Sequence, residues 1–89
     1  MTGKPLIESD RVEGTYVYDP NDNHIGTIKR LMIEKVSGQV SFAVISFGGF
    51  FGLGEREYSI PWNKLQYDIN LAGYCTDITE QDLKSGKYH

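Results

Sequence analysis

The chain is poor in the residues that build most chemical sites. A single cysteine, Cys75, excludes an intrachain disulfide and leaves the chain compatible with a reducing cytoplasm. The two histidines, His24 and His89, share no zinc-ligand spacing with Cys75, so no metal site is expected. No apolar run approaches the roughly 20 residues that a membrane helix needs. Residues 1–10 are polar and contain a proline, unlike a signal peptide. Membrane insertion is therefore not expected. Basic charge is also scarce: 9 basic residues face 12 acidic ones, for a net charge of −3. That balance argues against broad nucleic-acid binding, which needs dense phosphate neutralisation. The local basic cluster of Lys29, Arg30 and Lys35 reads as a solvent-facing strand surface. At 89 residues the chain makes one domain with little material for a deep catalytic cleft.

Glycine and aromatics, by contrast, are plentiful and concentrated. The run Ser46-Phe47-Gly48-Gly49-Phe50-Phe51-Gly52-Leu53-Gly54 interleaves four glycines with large apolar side chains. The order of its glycines differs from the G-x-G-x-x-G fingerprint. A charged strand follows it rather than a helix, and no Gly-Lys-Ser/Thr is present. The run therefore reads as a shaped connection rather than a phosphate cradle. Phe50 and Phe51 are adjacent, so in an extended backbone they point opposite ways. One of them is a candidate contact anchor, and Phe47, Phe50, Phe51 and Leu53 form the candidate interface.

Strand signals dominate elsewhere. Val12–Tyr18 is β-branched and aromatic and predicts a first strand. Asp19-Pro20-Asn21-Asp22-Asn23 predicts a turn. It resembles half of a calcium loop, but the sixth and twelfth places hold His24 and Arg30 where glycine and glutamate are needed. His24–Lys35 predicts a long strand. Ile28 and Leu31 are three apart, a spacing a helix would also explain. The β-branched content and flanking turns favour a strand with a bulge near Lys29-Arg30. Val36–Gln39 predicts a hairpin with Gly38 at positive φ.

Val40–Phe47 is apolar on both faces, which predicts a central or doubly covered strand. Arg56–Ile60 alternates with Tyr58 and Ile60 inward, and Pro61 ends it. Trp62 and Leu65 fall on a short turn, and Tyr67–Tyr74 predicts a small hairpin or an irregular crossing bent at Gly73. Leu6 and Ile7 are expected to dock on the core. Thr79 is a fair N-cap for a short helix that Leu83 packs and Gly86 stops. Cys75 reads as a small packed residue, and Glu55 and Glu57 as a solvated strand face rather than an acid–base pair.

Taken together, Gly14-Thr15-x-Val17-Tyr18, Ile25-Gly26-Thr27-Ile28, Ser37-Gly38-x-Val40, Phe47–Gly54 and Ile60-Pro61-Trp62-x-x-Leu65 resemble the PRC-barrel domain. Short stand-alone bacterial PRC-barrel proteins are similar also in Leu6-Ile7-x-Ser9-Asp10, Tyr67-Asp68-x-x-Leu71-x-Gly73-Tyr74 and Thr79-x-x-x-Leu83. Where relatives are expected to have a proline after the last helix, this chain has Ser85-Gly86-Lys87, which bears on how the tail docks. The family includes the photosynthetic reaction centre H subunit, and a related barrel forms half of a ribosome maturation factor.

The resemblance implies an all-β fold: a small barrel of about six antiparallel strands over residues 11–78, after a lead-in over 1–10 and before a short C-terminal helix and tail over 79–89. It implies docking or assembly rather than catalysis, with no catalytic residue or cofactor to carry over. Gly14, Gly26, Gly38, Gly48, Gly49, Gly52, Gly54, Pro61 and Trp62 look like fold determinants. The expected function is a cytoplasmic protein-interaction module. It is expected to self-associate as a homodimer, hiding part of Phe47–Leu53 or the outer face of Val40–Phe47, and to bind an unidentified protein. The alternatives are a ribosome- or RNA-associated factor and a small-molecule-binding barrel. The last is disfavoured because small barrels fill with side chains.

Overall fold

A computed structural model describes residues 6–48 and 56–88. Six strands form one sheet in the order β4-β3-β2-β1-β6-β5. They are β1 (Tyr16–Tyr18), β2 (His24–Ile33), β3 (Val40–Phe47), β4 (Arg56–Pro61), β5 (Gln66–Asp68) and β6 (Gly73–Cys75). Short helices α1 (Ser9–Val12) and α2 (Glu80–Lys84) flank the sheet, and one 3₁₀ turn spans Trp62–Lys64. The architecture is barrel-like and all-β, but the strands are not all antiparallel. β1 pairs parallel with β6 through Val17↔Tyr74 and Tyr18↔Cys75, while every other pairing is antiparallel.

The long strands follow their sequence pattern. β2 takes its bulge where expected: Ile28 faces Ile45 and Arg30 faces Val44, leaving Lys29 extra. A bulge bends a strand and increases its twist, which curls the sheet. Ala43, Ile45 and Phe47 point inward from β3, against Ile28 of β2 and Tyr58 and Ile60 of β4, all buried. Val17, Leu65, Tyr74, Ile78 and Leu83 complete the same core. At Gly26 an added Cβ would lie 2.8 Å from the Ser46 carbonyl and 3.1 Å from the Phe47 ring. Glycine there lets β2 and β3 close together.

Several local expectations are corrected. The first strand is shorter than Val12–Tyr18. Residues 9–12 form a helical turn, with Arg11 and Val12 amides donating to the Glu8 carbonyl at 2.9 and 3.2 Å. That turn lets Val12 reach the core, and Gly14 at φ +88 then redirects the chain into β1. Leu6 and Ile7 do not enter the core; Leu6 is 93% exposed. Gly73 is not the bend of the last hairpin. It lies in β6, where a Cβ would meet the Tyr16 carbonyl and the Tyr18 ring, both at 2.7 Å. The bend is carried by Ala72 at φ +52, after Asp68 has accepted hydrogen bonds from the Asn70 and Leu71 amides.

The termini of the second helix follow the sequence closely. Thr79 Oγ1 accepts from the Asp82 amide and the Asp82 carboxylate accepts from the Thr79 amide, both at 3.1 Å. These reciprocal bonds satisfy two donors that the first turn leaves unpaired. Gly86 stops the helix at φ +80. The tail then docks through Tyr88, buried in the core beside a sequence that lacks the expected proline.

Candidate functional site

Among the expected interface residues, Phe47 is the one the structure describes. It is 2% exposed and its ring meets Tyr58 edge-on at 5.9 Å, so it belongs to the core rather than to an exposed anchor. Phe50, Phe51 and Leu53 lie outside the described residues, as do Gly49, Gly52, Gly54 and Glu55. Gly38 sits at φ +78 in the β2–β3 hairpin, where its amide donates to the Glu34 carbonyl at 2.9 Å. Pro61 closes β4 opposite Phe42, and Trp62 packs partly buried against the core.

Two apolar surfaces stand out. The first is an open groove of about 660 Å³, lined among others by Leu6, Ile7, Trp62, Tyr67, Ile69 and Tyr74. Its floor is a chain of rings: Trp62 lies 5.4 Å from Tyr74, and Tyr67 meets Tyr74 edge-on at 5.2 Å. Ring pairs in this range gain about 0.5–1.5 kcal/mol beyond area burial and hold a rigid surface. Burial, with the neighbouring Tyr67 adding to it, raises the Tyr74 phenol above its ordinary value. Ile69, 80% exposed, and Leu6, more so, also line the groove. On one wall Arg11 pairs with Glu8 at 3.6 Å.

The second surface is the outer face of β2, β3 and β4. The register sets Met32 beside Phe42, Phe42 beside Pro61, and Arg30 beside Val44. Met32 and Phe42 are 49% and 42% exposed. Next to them Arg30 Nη1 donates to Glu57 Oε1 at 3.1 Å, with both side chains about half exposed. The basic cluster is thus solvent-facing, with Arg30 engaged by an acidic partner.

Neither surface was singled out residue by residue from the sequence. Ile69 offered a signal: an isoleucine inside the polar turn Asp68-Ile69-Asn70 has no core to enter. Met32 and Phe42 offered none, because only the β2–β3 register brings them together.

Polar features elsewhere are local. In the Asp19 turn, burial is the largest single influence and pushes the carboxyl up. Hydrogen bonds from the Asn23 amide and side chain and the Asn21 amide outweigh it and hold the pKa below the ordinary value. Asp19 thus spends its oxygens on its own turn, as expected of an Asx-type loop. Cys75 faces an open cleft near Lys64, Gln66 and Asp77. Burial, then the carboxylates of Asp68 and Asp22, raise its thiol pKa, which leaves it protonated and weakly nucleophilic at neutral pH. Tyr16 stacks on His24 with centroids 3.8 Å apart. His24 Nε2 lies 2.9 Å from the Gly26 carbonyl, so that nitrogen carries the proton.

Comparison with known proteins bears directly on this fold. The family model described as PRC-barrel domain matches residues 5–83. The chain belongs to the PRC-barrel family. The sheet, its bulges and the Pro61-Trp62 turn are thus the PRC barrel of this chain, with one parallel seam. No curated protein matches the sequence. A solved structure of a putative 16S ribosomal RNA processing protein, RimM, from Pseudomonas aeruginosa is similar in fold, with a TM-score of 0.54 at 19% identity. The similarity covers 90% of this chain but 48% of that protein, so the chain spans about half of its length. No helix among the described residues is long and apolar enough to cross a membrane.

Proposed function

We propose that this PRC barrel is a non-enzymatic, cytoplasmic protein-interaction module that self-associates and docks an apolar segment of another protein chain. The observation that supports docking is the groove: an aromatic floor of Trp62, Tyr74 and Tyr67 flanked by exposed Leu6 and Ile69. Rigid aromatic anchors beside a polar rim are the usual source of binding energy at protein interfaces. Leu6 and Ile69 contribute little to the core, so charging them leaves folding intact and isolates binding. Affinity capture from the native cytoplasm, compared with a Leu6→Asp/Ile69→Asp variant of equal melting temperature, tests the reading. A partner retained in stoichiometric amount by the wild type and lost by the variant is expected. Identical retention by both would remove the groove from the reading.

A second reading is association with the small ribosomal subunit, favoured by the fold similarity to the RimM protein. Lys29, Arg30 and Lys35 would face phosphate in that case, and binding would weaken steeply with salt. Sedimentation with purified small subunits at low and high salt distinguishes it. Salt-insensitive pelleting that Ile69→Asp abolishes would assign ribosome binding to a ribosomal protein through the groove instead.

A further inference from the structure

The groove is apolar in its rings and rich in donors among its polar groups. Trp62, Tyr67 and Tyr74 line it. The Trp62 Nε1–H and the hydroxyls of Tyr67 and Tyr74 form no hydrogen bond among the described residues, and none of them is sealed from water. Tyrosine and tryptophan take hydrogen-bond partners for these groups when they are covered. A donor covered without an acceptor loses its water and gains nothing in return. A ligand of this groove must therefore bring acceptors. The carboxylate that lines the groove, Glu8, is already paired with Arg11 at 3.6 Å, so a ligand's own N–H donors meet no free anion there. The same pair neutralises the charged lining, and a phosphate backbone or a strongly charged peptide gains no attraction from it.

One class of peptide brings acceptors without donors. Proline has no N–H, and polyproline II has no internal hydrogen bonds, so every carbonyl is free. A helix instead spends its carbonyls on itself. Resting on the docking reading, we propose that the segment held in this groove is proline-rich and in the polyproline II conformation. Its prolines lie on the rings of Trp62, Tyr74 and Tyr67, and its carbonyls accept from their N–H and hydroxyl groups. Aromatic-lined grooves suit this conformation because its preformed backbone loses little entropy on binding. The rings step by 5.4 and 5.2 Å, so the ladder reaches about one turn of polyproline II, roughly 9 Å for three residues. One turn is a short contact, and the binding is accordingly weak.

Trp62 is the only tryptophan of the chain, so its emission reports on the groove directly. The full chain is titrated with acetylated, amidated decaproline and, as control, with a Gly-Ser decamer blocked in the same way. Decaproline is expected to shift the Trp62 emission saturably, with a dissociation constant on the order of 0.1–1 mM, and the control should not. Tyr67 is half exposed, so its variants keep the fold, which melting curves check. Tyr67→Ala should raise the dissociation constant at least about fivefold. Tyr67→Phe keeps the ring and loses the hydroxyl, and should raise it about two- to fivefold. Phe42→Ser, on the outer sheet face, should leave it unchanged.

Backbone amide shifts on adding decaproline should cluster at residues 6–11, 66–69 and 74. No saturable change up to about 5 mM decaproline, or an equal change with the Gly-Ser control, overturns the polyproline assignment. Binding that Tyr67→Ala leaves unchanged, or amide shifts centred on Met32 and Phe42, overturns the site. An amphipathic helical peptide of leucine and lysine that shifts the Trp62 emission where decaproline does not overturns the ligand class and leaves docking in the groove standing. Docking itself fails separately, when capture is identical for the wild type and the Leu6→Asp/Ile69→Asp variant.

Discussion

The two halves of the sheet are built differently. β2, β3 and β4 form an antiparallel meander of ten, eight and six residues, two of them joined by a tight hairpin. β1, β6 and β5 have three residues each; β1 joins the meander through its antiparallel pairing with β2, while the seam within this half, β1 with β6, is parallel and spans most of the chain. Antiparallel neighbours close over short loops, and their pairing is fixed by local alternation. A parallel seam must bring distant segments together before any contact rewards it. The meander therefore carries the buried core face and the register of the outer surface. Ile78, Leu83 and Tyr88, from α2 and its flanks, join the same core. The floor of the groove, Tyr67 and Tyr74, is made on this more weakly determined side.

The comparison can be broken most severely in the meander. Ile45→Ala, at a position with no solvent exposure between β2 and β4, should cost roughly 2–5 kcal/mol. Against a total of about 4–13 kcal/mol for a chain this size, that is a large share, and chemical denaturation should show the unfolding midpoint moved to much lower denaturant. At the parallel seam, Gly73→Ala forces a Cβ to 2.7 Å from the Tyr16 carbonyl. Overpacking of this kind costs about 1–3 kcal/mol, and the displaced Tyr74 should weaken any ligand of the groove. Native-state hydrogen exchange should rank the two halves directly. Amides of β3 should open only with global unfolding, and those of β6 at lower free energy. Equal opening energies would show the sheet to be one cooperative unit.

Smaller effects sharpen the same contrast. Thr79→Ala removes half of the capping box on α2 and should cost about 1 kcal/mol, visible as earlier exchange at Leu83 rather than in β3. Acid should act at the loops and the cap. The carboxyls of Asp82, through hydrogen bonds from Thr79, and of Glu34, through those from Ser37, sit below their ordinary values, as does Asp19. A group whose folded pKa is lowered contributes stability above its unfolded pKa and loses it as pH falls through the folded one. Thermal melts should therefore be flat with respect to these three from neutral pH to about 5 and decline below about 4. Asp82→Asn should flatten part of that decline.

Much of the long-strand half was legible in the chain. The alternation in Arg56–Ile60, the two-sided apolar run of Val40–Phe47 and the Lys29 bulge were all visible because each is a local pattern with a period. The α2 cap was visible for the same reason. The short strands were legible in part: Val12–Tyr18 contains β1 and Tyr67–Tyr74 the β5–β6 hairpin, but the core drew Val12 in through a helical turn and shortened the first strand. Gly73 looked like a bend because glycine usually is one. Its actual role, yielding room to Tyr18, exists only once β1 lies parallel to β6. Leu6 looked like a core residue and instead lines a groove.

By itself, then, the sequence determined the elements whose information is local: the long strands, the Asp19 and Gly38 turns, the capped helix and the family they compose. Tertiary structure alone decided the parallel seam, the joining of Met32 with Phe42 into one patch, and the burial of Phe47 in the core. These are contacts between residues far apart in the chain, and no spacing along the chain encodes which distant partner a side chain will meet.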